Sequence, residues 1–190
     1  MTILITNLST LNPKSSIGQE INYDVDFITP KTSVKASYTN DSVLESLFEI
    51  PDVKEKGIDR VIALCSWNVK NKKIESYSNQ TAFEYYSALC SCKNIVNIFS
   101  VDTTIENENY RGINTVLNEV LCHLSDVKKD DKIYIDSSSG ARKISNLLPS
   151  LVNLLKYKGI RNIKVLYSDK NSSKSCVTGH RGIPADKRHR

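Results

Sequence analysis

Apolar and polar positions along this chain fall into blocks of changing period. Ile3-Leu4-Ile5 is a short apolar run that predicts a strand. Over residues 20–28, Ile21, Tyr23, Val25 and Phe27 interleave strictly with Glu20, Asn22, Asp24 and Asp26, the period of two that marks a half-exposed strand. Thr29-Pro30-Lys31-Thr32-Ser33 reads as a turn, after which Val34, Ala36 and Tyr38 resume the alternation, predicting a β-hairpin near residues 20–38. Asn40-Asp41-Ser42 supplies N-cap chemistry for a helix with the apolar face Val43, Leu44, Leu47 and Phe48, and Gly57 closes that region. Residues 58–65 predict a buried strand, the polar stretch Trp67–Ser78 a loop, residues 79–92 a helix, and Ile95–Val101 a further strand.

The clearest helical period lies in 109–125, where Ile113, Val116, Leu117, Val120, Leu121 and Leu124 share one face. Asp130-Asp131 breaks it before the strand Lys132–Asp136, and Ser137–Gly140 is a turn. A helix is predicted over 141–158, kinked at Pro149 and ended by Gly159, with a last strand at Asn162–Tyr167. Strands alternating with helices point to an α/β, Rossmann-like, mostly parallel sheet with helices on both faces, plus the hairpin. Periodic structure stops near Asp169, so the reading is a ligand-binding domain over 1–169 and a basic tail, 170–190, outside the fold.

Composition narrows the function classes. The chain has 190 residues, enough for one α/β domain with little room for a second. Its net charge is +5, but residues 169–190 hold six Lys/Arg and two Asp, a net of +4. The remaining 20 basic and 19 acidic groups leave the body at +1, so duplex DNA is not an expected partner. No apolar run approaches the roughly 18 residues of a membrane span, and MTILITNLST lacks the pattern of a secretory signal. Cys65, Cys90, Cys92, Cys122 and Cys176 match no metal-site spacing, and they read as reduced thiols of a cytoplasmic protein. With two of the three His in the tail, neither a His-based triad nor a zinc site is expected in the body, and no cofactor is.

Ligands of open α/β sheets bind beyond the carboxyl ends of the strands, near the reversal of strand order. Four loops occupy such ends: Asn7–Ser16, Cys65–Asn68, Asp102–Glu106 and Asp136–Lys143. The last carries the strongest signal. Its backbone amides open a helix, Gly140 permits close backbone approach, and Ser137, Ser138 and Ser139 add hydroxyls. Arg142 and Lys143 place two cations in a first helical turn, where the dipole disfavours them unless an anion joins them. The same string also serves a plain cap with two solvated cations. It is neither GxxxxGK[ST] nor GxGxxG, so it carries no P-loop or dinucleotide fingerprint. In the first loop, Ser9, Thr10 and Asn12 suit sugar hydroxyls, base edges or phosphates, or form an ordinary polar turn. Trp67, the only Trp, can stack on a base or pack beneath a loop.

The run Ile133-Tyr134-Ile135-Asp136-Ser137-Ser138-Ser139-Gly140-Ala141-Arg142, the Leu-rich helix after it, and Lys156-Tyr157-Lys158-Gly159 with Val165-Leu166-Tyr167-Ser168-Asp169 resemble the CARF (CRISPR-associated Rossmann fold) domain family of type III CRISPR systems. Ile3-Leu4-Ile5-Thr6 and Tyr38-Thr39-Asn40-Asp41-Ser42-Val43-Leu44 fit as well, and Ser139 stands where many members have a Gly. The resemblance, covering 1–169, implies a homodimer that binds cyclic oligoadenylate (tetra- or hexa-adenylate) across its two-fold axis and controls an attached or partner effector, none of which is visible in this chain. It carries ligand-facing roles onto Ser9, Thr10, Asn12, Ser138, Ser139, Gly140, Arg142 and Lys143, to which the strand-end argument adds Trp67 and Ser137.

The alternative is a metal-independent ring nuclease, in which a ribose 2′-hydroxyl attacks the adjacent phosphate while Lys143 or Arg142 stabilises the charge and Ser9 or Thr10 orients the sugar. An ordinary nucleotide-dependent enzyme ranks last, because it lacks both a phosphate fingerprint and a carboxylate–His pair.

Overall fold

Alternate residues of the central strands face two separate apolar layers. In β1 (Thr2–Asn7), Leu4 packs into one layer and Ile3 and Ile5 into the other. In β4 (Arg60–Cys65), Val61, Ala63 and Cys65 point one way, Ile62 and Leu64 the other. A strand buried on both faces reads as a continuous apolar run, as both of these do. Each buried Ile or Leu is worth roughly 1.5–3 kcal/mol, so a one-residue slip that exchanged the two layers is strongly disfavoured.

The computed structural model describes residues 1–14, 20–104, 111–138, 140, 142–169 and 175–181. Within them β1 and β4 join β2 (Ile21–Val25), β3 (Thr32–Ala36), β5 (Ile98–Asp102), β6 (Lys132–Asp136), β7 (Asn162–Asp169) and β8 (Cys176–Arg181) in one sheet of order β3-β2-β8-β7-β6-β1-β4-β5. The stretch β7-β6-β1-β4-β5 is parallel throughout. One layer is closed by α1 (Thr39–Phe48), α2 (Pro51–Lys56), α3 (Trp67–Asn71) and α4 (Ala82–Cys92). The other is closed by α5 (Ile113–Cys122), α6 (Arg142–Ser145) and α7 (Leu147–Tyr157). The Rossmann-like α/β class read from the sequence is the observed one. The hairpin is present too, as the antiparallel pair β2–β3.

Three elements differ from the reading of the sequence. The helix expected over 141–158 is two helices, interrupted between Ser145 and Leu147. Pro149 has no N–H for the Ser145 carbonyl four residues back, and its ring crowds that carbonyl, so the break precedes the proline and Pro149 sits in the first turn of α7. The expected loop Trp67–Ser78 contains α3, whose Ser66 hydroxyl accepts the Val69 N–H, and a 3-10 turn at Glu75–Tyr77; Val69 and Tyr77 anchor both in the core. Third, the sheet runs past the expected boundary at Asp169. β8 pairs antiparallel with β7 and parallel with β2, so it joins the hairpin to the rest of the sheet. A single fully buried apolar residue, Val177, was too little to mark a strand among tail charges.

No helix among the described residues is long and apolar enough to cross a membrane. No group of three or more His, Cys, Asp or Glu among them could hold a metal ion.

Candidate functional site

Strand order reverses at β1: β4 and β5 lie on one side of it, β6 and β7 on the other. The loops leaving β1 and β6 therefore flank a crevice of the kind in which α/β sheets receive ligands. The register pairs Thr6 with Asp136, bringing the carboxyl ends of the two strands side by side.

Asp136 is fully buried there. Burial pushes its carboxyl above the usual aspartate range, while bonds from Ser138, Asn40 and Thr6 pull it back. Its Oδ2 accepts from Thr6 Oγ1 at 2.8 Å and Asn40 Nδ2 at 2.7 Å, and its Oδ1 accepts the Ser138 N–H at 2.9 Å. The Ser138 amide is thus capped by the protein's own carboxylate rather than offered to a ligand.

The serines of the turn are committed in the same way. Ser137 donates both its N–H (2.9 Å) and its hydroxyl (3.0 Å) to Leu166 O. Ser138 Oγ accepts the Ser168 N–H at 2.7 Å. Ser168 Oγ lies 2.6 Å from Ser42 Oγ in α1. These bonds tie the turn to the end of β7, and they make Ser137 and Ser138 anchors of its backbone. Gly140 has φ +92°, a conformation glycine adopts without strain. Ser139 lies outside the described residues. Arg142 and Lys143 form the first half of α6 directly after the turn. The helix dipole expected at this point belongs to a four-residue helix rather than to the long one predicted, so its contribution there is smaller than that of a long helix.

In the loop after β1, Leu8 and Leu11 are buried and alternate with the partly exposed Ser9 and the exposed Thr10 and Asn12. Ser9 is held from beneath: the Tyr38 hydroxyl donates to Ser9 O, Ser9 Oγ lies 3.0 Å from the Tyr38 hydroxyl, and the Ser9 N–H reaches Asn40 Oδ1 at 3.3 Å. Asn12 Oδ1 accepts the Lys14 N–H at 3.0 Å, closing a small turn. Thr10 and Asn12 stand on the rim itself. Trp67 opens α3 at the end of β4, is 43% exposed, and donates its backbone N–H to Thr104 Oγ1. It lies on the same carboxyl rim, one strand from β1. Beside it Lys70 Nζ is 2.8 Å from Asp102 Oδ1.

Asn7 and Asp136 open two of the loops expected from the sequence, but their role as buried supports, and that of Asn40, was not anticipated. All three are polar and 2% exposed or less, a pattern that costs free energy unless every group is paired. A lone Asn opening a helix is indistinguishable in sequence from an ordinary cap. Asn40 is no cap: Tyr38 holds the N-cap position without a side-chain bond, and Asn40 turns its amide toward the sheet.

No family model matches the chain, and no curated protein matches it. Among solved structures it is similar to Enterococcus italicus Csm6 bound to cyclic hexa-2'-fluoro-hexa-dAMP, with a TM-score of 0.48 and 16% identity, covering 92% of this chain and 34% of that one. The chain spans about one third of the length of that protein.

Proposed function

We propose that this chain is a cyclic oligoadenylate-binding module of the CARF type, acting as a two-fold dimer in type III CRISPR defence. The observation that carries the reading is the meeting of the β1 loop and the β6 turn at the reversal of strand order, where Asp136 pairs with Thr6 and Gly140 lies against Asn7. On this reading Thr10, Asn12 and Gly140 line the rim, while Ser9, Ser137 and Ser138 shape it from below. Arg142 and Lys143 offset the single negative charge of each phosphodiester. Trp67 supplies a flat apolar face for an adenine. A ring of four or six identical nucleotides has even rotational symmetry, so two copies of one rim can present the same groups to its opposite halves. Control of an effector follows if ring binding shifts the dimer between two arrangements.

Isothermal titration with cyclic tetra- and hexa-adenylate tests the proposal. One ring per two chains with a micromolar or tighter Kd is the expected result, and no heat with either ring at micromolar concentrations overturns it. Chromatography of the ring after long incubation is expected to return it closed; linear products that disappear in Lys143→Ala would make the chain a ring nuclease instead.

A further inference from the structure

Asn40 is fully buried in the first turn of α1, yet its amide touches three separate parts of the rim. Its Nδ2 lies 2.7 Å from Asp136 Oδ2 at the end of β6, 3.1 Å from Thr6 Oγ1 and 3.2 Å from Asn7 O at the end of β1. Its Oδ1 accepts from the N–H of Ser9 at 3.3 Å, with Ser9 Oγ at 3.4 Å. Asp136 in turn holds the Ser138 N–H, Ser138 holds Ser168, and Ser168 meets Ser42, two residues beyond Asn40 in the same helix. The hydrogen bonds therefore close a circuit: Asn40, Asp136, Ser138, Ser168, Ser42 and back through α1.

We propose that Asn40 is the positioning residue of the rim, and that α1, through this one amide, sets the distance between the β1 loop and the β6 turn. The proposal rests on the binding reading above for its ligand and on the hydrogen-bond circuit for its mechanism. Among the described residues it is Asn40 whose side chain bonds to both strand ends and to the loop. An amide is suited to this position, because it donates to the carboxylate and accepts from the loop N–H at once. An alanine leaves the buried Asp136 oxygen and the Ser9 N–H without that partner, and a carboxylate cannot donate. Because the circuit lies in low dielectric, its bonds are electrostatically stronger than in water, and loss of one loosens its neighbours. Asn40 itself touches no ring. It lowers the ordering cost of binding by holding the two rim segments in place beforehand.

The test is amide hydrogen exchange on the ligand-free chain, paired with ring titration. In Asn40→Ala, the amides of Ser9 and Ser138 are expected to exchange at least about tenfold faster than in the unsubstituted chain, while those of Ile5 and Ile135 within the strands keep their rates. Ring affinity should fall by about tenfold, with a more unfavourable binding entropy. Thr10→Ala, a substitution on the rim, should leave both amide rates unchanged. Should Asn40→Ala fail to fold, Asn40→Ser, which suits a helix start but cannot span both strand ends, is read for the same two signals. Unchanged exchange at Ser9 and Ser138 in a folded variant overturns the proposal, as does an affinity within twofold of the unsubstituted chain. If the unsubstituted chain binds no ring, the binding reading fails by itself, and the exchange rates alone decide whether Asn40 positions the rim.

Discussion

Gly140 lies flat against the side-chain amide of Asn7. A Cβ built on Gly140 would stand 2.2 Å from Asn7 Cγ and Oδ1, far inside contact distance. Asn7 ends β1 and Gly140 belongs to the turn after β6, so backbone and amide are in contact where the two segments meet. Asn7 cannot easily swing away, because it is 2% exposed and its Nδ2 reaches Ser145 Oγ at 3.4 Å.

Gly140→Ala therefore meets both a positive φ and a collision. Strain in the left-handed region costs about 1–3 kcal/mol and overpacking a similar amount, so a loss of roughly 2–4 kcal/mol is expected. Thermal unfolding followed by circular dichroism should show Tm lower by roughly 5–12 °C in a domain of this size. A fall of less than about 2 °C would mean that the turn steps aside without cost.

Two tyrosines of α4 separate a satisfied hydroxyl from an unsatisfied one. Tyr85 donates to Asp41 Oδ2 at 3.1 Å, whereas the buried Tyr86 hydroxyl has no hydrogen-bond partner among the described residues. Tyr85→Phe strips a bond from a carboxyl whose other oxygen, Oδ1, is already without a partner among those residues, and should cost about 1–3 kcal/mol. Tyr86→Phe removes a desolvated group and should be neutral or stabilising by up to about 1 kcal/mol. Urea unfolding of the two variants side by side gives the comparison, and equal losses would contradict it.

Stability should fall as pH rises above the ordinary aspartate range. Burial raises the carboxyls of Asp41 and Asp136, so the folded chain binds their protons more tightly than the unfolded one. Folded-state protons exceed unfolded-state protons from about pH 4 up to the raised folded values, and in that window each unit of pH removes stability. The half-buried Asp52 and the exposed Asp126 act in the opposite sense. Hydrogen bonds from Lys132 and Lys56, and from Arg60, hold them at about 2, so what they contribute is lost only as pH falls below about 4. Asp41 also faces Glu45, Lys93 and Tyr85, the first of which raises it further. Tm measured at about pH 5 and about pH 8 should be lower at the higher pH, and Asp41→Asn should narrow the difference. An unchanged difference in that variant would show that Asp41 ionises as an ordinary aspartate.

Trp67 and the two cations separate stacking from charge in ring binding. Trp67→Ala removes a 43%-exposed ring, so Tm should hardly change while ring affinity drops by about 1–3 kcal/mol, independently of salt. Arg142→Ala and Lys143→Ala should each cost roughly tenfold in affinity and reduce the salt dependence of binding. Titrations at two salt concentrations distinguish the patterns. A salt slope untouched by either cation substitution would place the phosphates elsewhere.

The sequence by itself determined the class of fold and pointed to the strand ends where a site is expected. Ile3–Ile5, Val61–Leu64 and Ile133–Ile135 read as strands because each is buried on both faces, and residues that must leave water on both sides have to be apolar in succession. The rule that ligands meet strand ends pointed from the sequence to the loops after β1, β4, β5 and β6. Tertiary structure decided which polar groups serve the fold and which face solvent. Ser137 and Ser138 look like free donors in the sequence, but both are engaged by β7 some thirty residues later: Ser137 donates to Leu166 O, and Ser138 Oγ accepts the Ser168 N–H. Asn40 looks like a cap because its partners Thr6, Ser9 and Asp136 are 31 to 96 residues distant along the chain. β8 stayed hidden for a similar reason: Val177 is a lone apolar residue buried among polar neighbours, and what makes the segment a strand is the pair of open edges on β7 and β2 that its backbone fills. Periodicity reports what a residue does with water, whereas the partner of a hydrogen bond depends on which distant segment the fold brings alongside.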